Sequence, residues 1–119
     1  MAAPNVVNVT SIYGQTDVQS VTTTISGITT CATNKVYKIN SLIVSNIDGT
    51  NDADITVDLV RSGVSYKIVS TVTVPADATL VVVSKDMGIY LQEADAIRCQ
   101  ASANGDLQAI CSYEVIDDA

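Results

Sequence analysis

Thr, Val and Ile recur with a period of two along nearly the whole chain, and no stretch sustains an apolar 3.6-residue repeat. Side chains on a strand alternate between two faces, so this pattern builds half-buried strands and little else. Short turn clusters punctuate it. Asp48-Gly49-Thr50-Asn51-Asp52, Ser62-Gly63, Pro75-Ala76-Asp77, Glu93-Ala94-Asp95 and Asn104-Gly105 each interrupt the alternation with residues that favour reversal.

Between these turns the strands can be placed. Val6–Ile12 and Val18–Ile28 form the opening pair. Val36–Asn46 follows, and its apolar centre Leu42-Ile43-Val44 reads as a strand covered on both faces. Ile55, Val57 and Leu59 alternate up to the Ser62-Gly63 turn, and Tyr66, Ile68 and Val72 alternate on the return. A two-residue turn there sets Leu59 opposite Tyr66 and Val57 opposite Ile68. Leu80–Val83 and Ile89–Leu91 come next. For the final pair, a three-residue loop Asn104-Gly105-Asp106 pairs Ile97 with Tyr113, Cys99 with Cys111 and Ala101 with Ala109. That register keeps one face apolar, which a two-residue loop does not. Residues 116–119 are expected to fray.

Eight or nine short strands separated by turn signals predict an all-β fold, an antiparallel β-sandwich of jelly-roll or immunoglobulin-like kind. At 119 residues the chain has the length of one domain. Residues 35–119 form the sandwich body. Residues 1–34, whose only charged side chain is Asp17, read either as strands at one side of that body or as an extended arm of the same domain.

Composition narrows the function. The chain has no His, Trp or Phe, and Glu93 and Glu114 are its only glutamates. Without His, the commonest general acid–base, metal ligand and partner of a nucleophile are missing together. The expectation is a protein that is not an enzyme, with no catalytic, cofactor-binding or metal-binding residue to assign. Only 16% of residues are charged, so Thr, Ser, Asn and Val fill much of the surface, which suits contact with other chains. Six Lys and Arg against a net charge of −7 argue against direct nucleic-acid binding. No apolar run is long enough to span a membrane, and Met1–Asn5 carries no export signal, so the expected site of assembly is the cytoplasm.

Asp48, Asn51, Asp52 and Asp54 crowd one turn in a way that invites Ca²⁺, but the EF-hand spacing and its closing Glu are absent, which predicts a solvated turn. Cys99 and Cys111 are expected as reduced thiols on the core face; the alternative is a cross-strand disulfide formed in an oxidising medium. Cys31 has no evident partner. Asp58 with Arg61 or with Lys67 reads as an exposed cross-strand ion pair. Of the tyrosines, Tyr66 and Tyr113 follow the inward alternation, and any exposed tyrosines would suit a sugar or an interface.

The segments "SLIVSNIDGTNDADITVDLV", "VTVPADATLVVVSKDMGIYLQEADAIRCQASANGDLQ" and "SYEV" carry a resemblance. Their order of a Ser-Asn strand end, an ITV strand, a VPA turn, an IYL-x-E turn and an ASA…SYE close is similar to small virion structural proteins of tailed bacteriophages, of the cyanophage and marine type. Ala94 stands where that pattern has Gly, which makes a left-handed turn there costly. The resemblance implies a β-sandwich present in many copies on the virion, as a homo-oligomeric trimer or lattice. It also implies contact with the major capsid protein or other virion proteins. A capsid decoration (cement) protein is the expected role, with a tail, neck or fibre attachment protein, including a carbohydrate-binding module, as the alternative. The pattern transfers no catalytic residues.

Overall fold

A computed structural model describes residues 9–118, with side chains from 11 to 117. Nine strands and no α-helix occur among the described residues: β1 (Val9–Val21), β2 (Ser26–Thr30), β3 (Lys35–Asn46), β4 (Ala53–Arg61), β5 (Val64–Val74), β6 (Thr79–Val83), β7 (Ile89–Leu91), β8 (Ala96–Ala101) and β9 (Leu107–Asp118). A 3₁₀ turn, Lys85–Met87, lies between β6 and β7. The strands form two antiparallel sheets, β1-β9-β3-β6 with β7 also on β3, and β2-β8-β4-β5. The chain is an all-β sandwich.

The core draws on the alternating residues of β4, β8 and β9 and on one side of β3. Ile39, Leu42 and Val44 of β3 and Val115 of β9 pack from one sheet, and Ile55, Val57 and Ile97 from the other, all essentially without solvent contact. Each such side chain contributes roughly 1.5–3 kcal/mol by leaving water. Tyr37 and Tyr113 stack in the same layer with ring centres 4.7 Å apart.

The Ser62-Gly63 turn is as expected. Both residues have positive φ (53° and 77°), the geometry whose twist matches a two-residue hairpin, and Leu59 faces Tyr66. Val57, however, pairs with Val69 rather than Ile68. β5 carries extra residues at Ile68 and around Thr71, where φ is +53° and the backbone N–H donates to Thr56 Oγ1 at 3.0 Å. Each bulge shifts the register by one residue. Tyr66, on the turn side of both bulges, keeps its expected partner but is 57% exposed rather than inward.

The last expected hairpin is a correction. β8 and β9 belong to different sheets: Cys99 pairs with Val57 and Ser26, and Cys111 with Leu42 and Asp17. The segment 102–106 arches from one sheet to the other, anchored where the Ser102 N–H donates to the Asp54 carbonyl and the Asp106 carbonyl accepts from Ile47. Gly105 does hold positive φ, 85°. Alternation identifies which residues face inward, but an inward stripe looks the same whether its partner lies beside it or across the core.

At the start of the chain β1 runs unbroken from Val9 to Val21, and the break falls at Thr22–Ile25 instead of between Ile12 and Val18. The early part of the Val6–Ile12 strand lies outside the described residues. β9 continues through Asp118, with Ile116 buried and the Lys35 ammonium 2.9 Å from Asp117, so residues 116–118 are held rather than frayed.

Candidate contact surface

The outer face of the five-stranded sheet carries a row of apolar side chains that the backbone register puts in line. Val18 of β1 faces Ile110 of β9, Ile110 faces Ile43 of β3, and Ile43 faces Val81 of β6. Neighbouring strands lie about 4.8 Å apart, so the row crosses the sheet over roughly 15 Å. Val18 is 73% exposed, Val81 58% and Ile110 38%. A shallow depression of about 250 Å³ opens beside it, floored by Val18, Ser20, Gln108 and Ile110.

Uncharged polar rows flank this band. On one side Thr16 and Ser112 hydrogen-bond through their hydroxyls at 3.1 Å, and on the other Ser45 and Thr79 do the same at 3.1 Å. Further along, Lys38 and Glu114 face each other in register. They are the charged side chains on the strands of this face among the described residues, and they cancel. A chain of net charge −7 thus keeps one broad face close to neutral.

Leu42 and Val44 are buried as expected, but Ile43 points out of the sandwich and is half-covered. The doubly covered strand read from Leu42-Ile43-Val44 is covered on one side only.

The opposite outer face, of the four-stranded sheet, is built on ion pairs. Asp58 is 0% exposed, contrary to an exposed pairing, because neighbours cover it. Arg98 grips it with Nε at 2.9 Å and Nη2 at 2.6 Å, Ser65 donates its hydroxyl, and Lys67 Nζ stands 3.6 Å away. The Arg98 hydrogen bonds hold the Asp58 carboxyl below its ordinary range against the opposing effect of burial. Arg61 pairs with Asp95, not Asp58, donating through Nε at 3.0 Å and 3.1 Å to its two carboxylate oxygens. Asp95 also accepts from the Gln92 N–H at 2.9 Å, and its carboxyl is lowered chiefly by Arg61. Here the turn keeps the left-handed residue despite the absent glycine: Ala94 has φ 70°.

The Asp48 turn is closed by its own backbone. Asp48 Oδ1 accepts from the N–H groups of Thr50 and Asn51, Asp52 accepts from the Ala76 N–H, and Asp54 from the Thr73 hydroxyl. These contacts are those of a turn; among the described residues no group of three or more His, Cys, Asp or Glu is arranged to hold a metal. Behind the turn, buried Asn46 donates to the carbonyls of Asn51 and Val74, a clasp between the sheets that alternation gave no hint of. The turns at this end, 22–25, 47–52, 75–78 and 102–106, contain Asp48, Asp52, Asp77 and Asp106 and no Lys or Arg. Asp106 is raised by desolvation and by neighbouring Asp48.

The thiols are free and buried. Burial pushes Cys99 up to about 12, with Cys111 adding to it across the core, and Cys111 and Cys31 up to about 11. Cys31 donates its S–H to the Lys35 carbonyl at 3.2 Å. Tyr113 is inward as expected, its hydroxyl donating to Gln15 and Asp17 at 2.9 Å and 3.0 Å. The exposed Tyr66 sits eight residues of strand from the Asp48 end of β5, roughly 25 Å, so the structure does not bring it to the acidic turn. Exposed Tyr13 and Tyr90 lie on β1 and β7.

No family model matches the sequence, and no curated protein matches it. A solved structure of Bacillus endospore appendages, which form a family of disulfide-linked pili, is similar in fold, with a TM-score of 0.56 at 14% identity. The match covers 92% of this chain and 88% of that one. It is a likeness of fold.

Proposed function

We propose that this chain is a non-enzymatic structural protein of a bacteriophage virion, a decoration protein that lies on the capsid shell in many copies and stiffens it by bridging major capsid subunits. The observation that carries this reading is the Val18–Ile110–Ile43–Val81 row on a nearly neutral face. Ile43 belongs to a strand whose sequence reads as buried on both sides, and a docked shell supplies the second cover. Apolar and hydroxyl-bearing side chains lose little on desolvation there, whereas the ion-paired face is costly to strip of water. Many weak attachments on one particle multiply into firm retention. The pilus-like fold supports a structural subunit in general, and it favours a tail or fibre position as the second reading.

Immunogold labelling of purified virions with an antibody to this chain tests the assignment. Regular label over heads is expected. Label confined to tails or fibres selects the second reading, and unlabelled virions overturn both. Val81→Asp is expected to fold normally and to lose its place on the particle.

A further inference from the structure

A sheet edge is a row of unmet N–H and C=O groups that only another strand can fully satisfy. Among the described residues this sandwich has five such edge strands, and four are guarded. β2, β6 and β7 are only five, five and three residues long, and β5 is bulged twice. β1 is different. It runs in uninterrupted register from Ser11 to Val21 against β9, and among the described residues nothing pairs with its other side. Its side chains from Ser11 to Thr16 are exposed on both faces, Ile12 and Tyr13 included. Its one charge guards nothing, because the Asp17 carboxylate is turned onto the hydroxyls of Tyr113 and Thr29.

We propose that β1 pairs antiparallel with β1 of a second copy, making a two-fold dimer through a continuous sheet. An uncharged strand is self-complementary in this arrangement: centred near Thr16, it sets Gly14 against Val18 and Asp17 against Gln15, so no like charges meet. The symmetry axis then stands perpendicular to the sheet. Both five-stranded outer faces look the same way, and the two apolar rows become one bivalent surface. A β5 edge is the poorer partner, since its bulges break the ladder that β1 would need.

The inference rests on reading the chain as a multi-copy contact protein, but its test uses the purified full chain alone, so virion labelling and dimerisation can fail separately. Sedimentation equilibrium is expected to show a monomer–dimer equilibrium, and hydrogen exchange is expected to show the outward β1 amides slowed in the dimer. Gly14→Lys with Thr16→Lys places like charges on the edge. A Cβ at Gly14 meets nothing nearer than the Tyr113 carbonyl oxygen at 3.9 Å, so the fold should keep its thermal midpoint while the dimer dissociation constant rises by about tenfold or more. A wild-type chain that stays monomeric, a dimer whose β1 amides exchange freely, or a double-Lys variant that dimerises unchanged would each overturn the proposal.

Discussion

The two outer faces of this sandwich are made from the same strand alphabet and do opposite work. On the four-stranded sheet, Arg98, Ser65 and Lys67 gather around the buried carboxylate of Asp58. On the five-stranded sheet, hydrophobic side chains stand in register, with Val18 and Val81 the most exposed. The first face is finished within one chain. The second leaves Val18 and Val81 largely open to solvent. Substitutions should therefore separate: those on the ion-paired face alter stability and spare association, and those on the apolar face do the reverse.

Asp58→Ala is the strongest way to break the contrast. It removes the anion that Arg98 and Lys67 share and the acceptor of Ser65, and because both cations keep access to water a loss of about 1–2 kcal/mol is expected in urea unfolding. Replacing the pair together, Asp58→Leu with Arg98→Met, should return to within about 1 kcal/mol of wild type, because the unpaired charge is then gone.

A pH series sharpens the same point. Asp58 and Asp95 are lowered by their arginines, so their contribution is present above the ordinary carboxylate range and is lost as pH falls through their folded values. Unfolding stability should decline below about pH 4. The thiols act in the other direction. Their contribution is whole below their ordinary value of 9.0 and is lost as pH rises toward the 11–12 of the folded protein. Alkylation by iodoacetamide at neutral pH should consequently leave all three cysteines unmodified until the chain unfolds.

A smaller effect sits at Ala94. Its left-handed backbone costs a residue with a Cβ about 1 kcal/mol, so Ala94→Gly is expected to raise stability by roughly 0.5–1 kcal/mol in thermal or urea melts. Smallest of all is Val81→Asp, expected to shift stability by no more than about 0.5 kcal/mol even as it puts a charge into the apolar row.

These differences track what a linear sequence can express. Period-two alternation identified the core face of β4, β8 and β9, since burial on one side leaves that mark directly. It misassigned β8 and β9 as a hairpin because facing inward says nothing about which sheet a strand joins. Asp58 looked exposed because its shield comes from β5 and β8, forty residues away in the case of Arg98. The apolar row was visible only as Ile43, an apolar residue between two buried ones. Val18, Ile110 and Val81 join it through pairings that no local pattern encodes. The bulges in β5 were equally silent, yet they decide which sheet edge is open.

The acid-rich turns at one end have a consequence for orientation. Four carboxylates and no cation in the turns at one end of a body 50 Å long make that tip strongly negative. Salt screens that field beyond about 8 Å, so it does not steer approach from a distance. At contact it matters: two acidic tips brought together repel. Tip-to-tip stacking through that end is therefore closed, side-by-side contact remains, and high salt should weaken the preference.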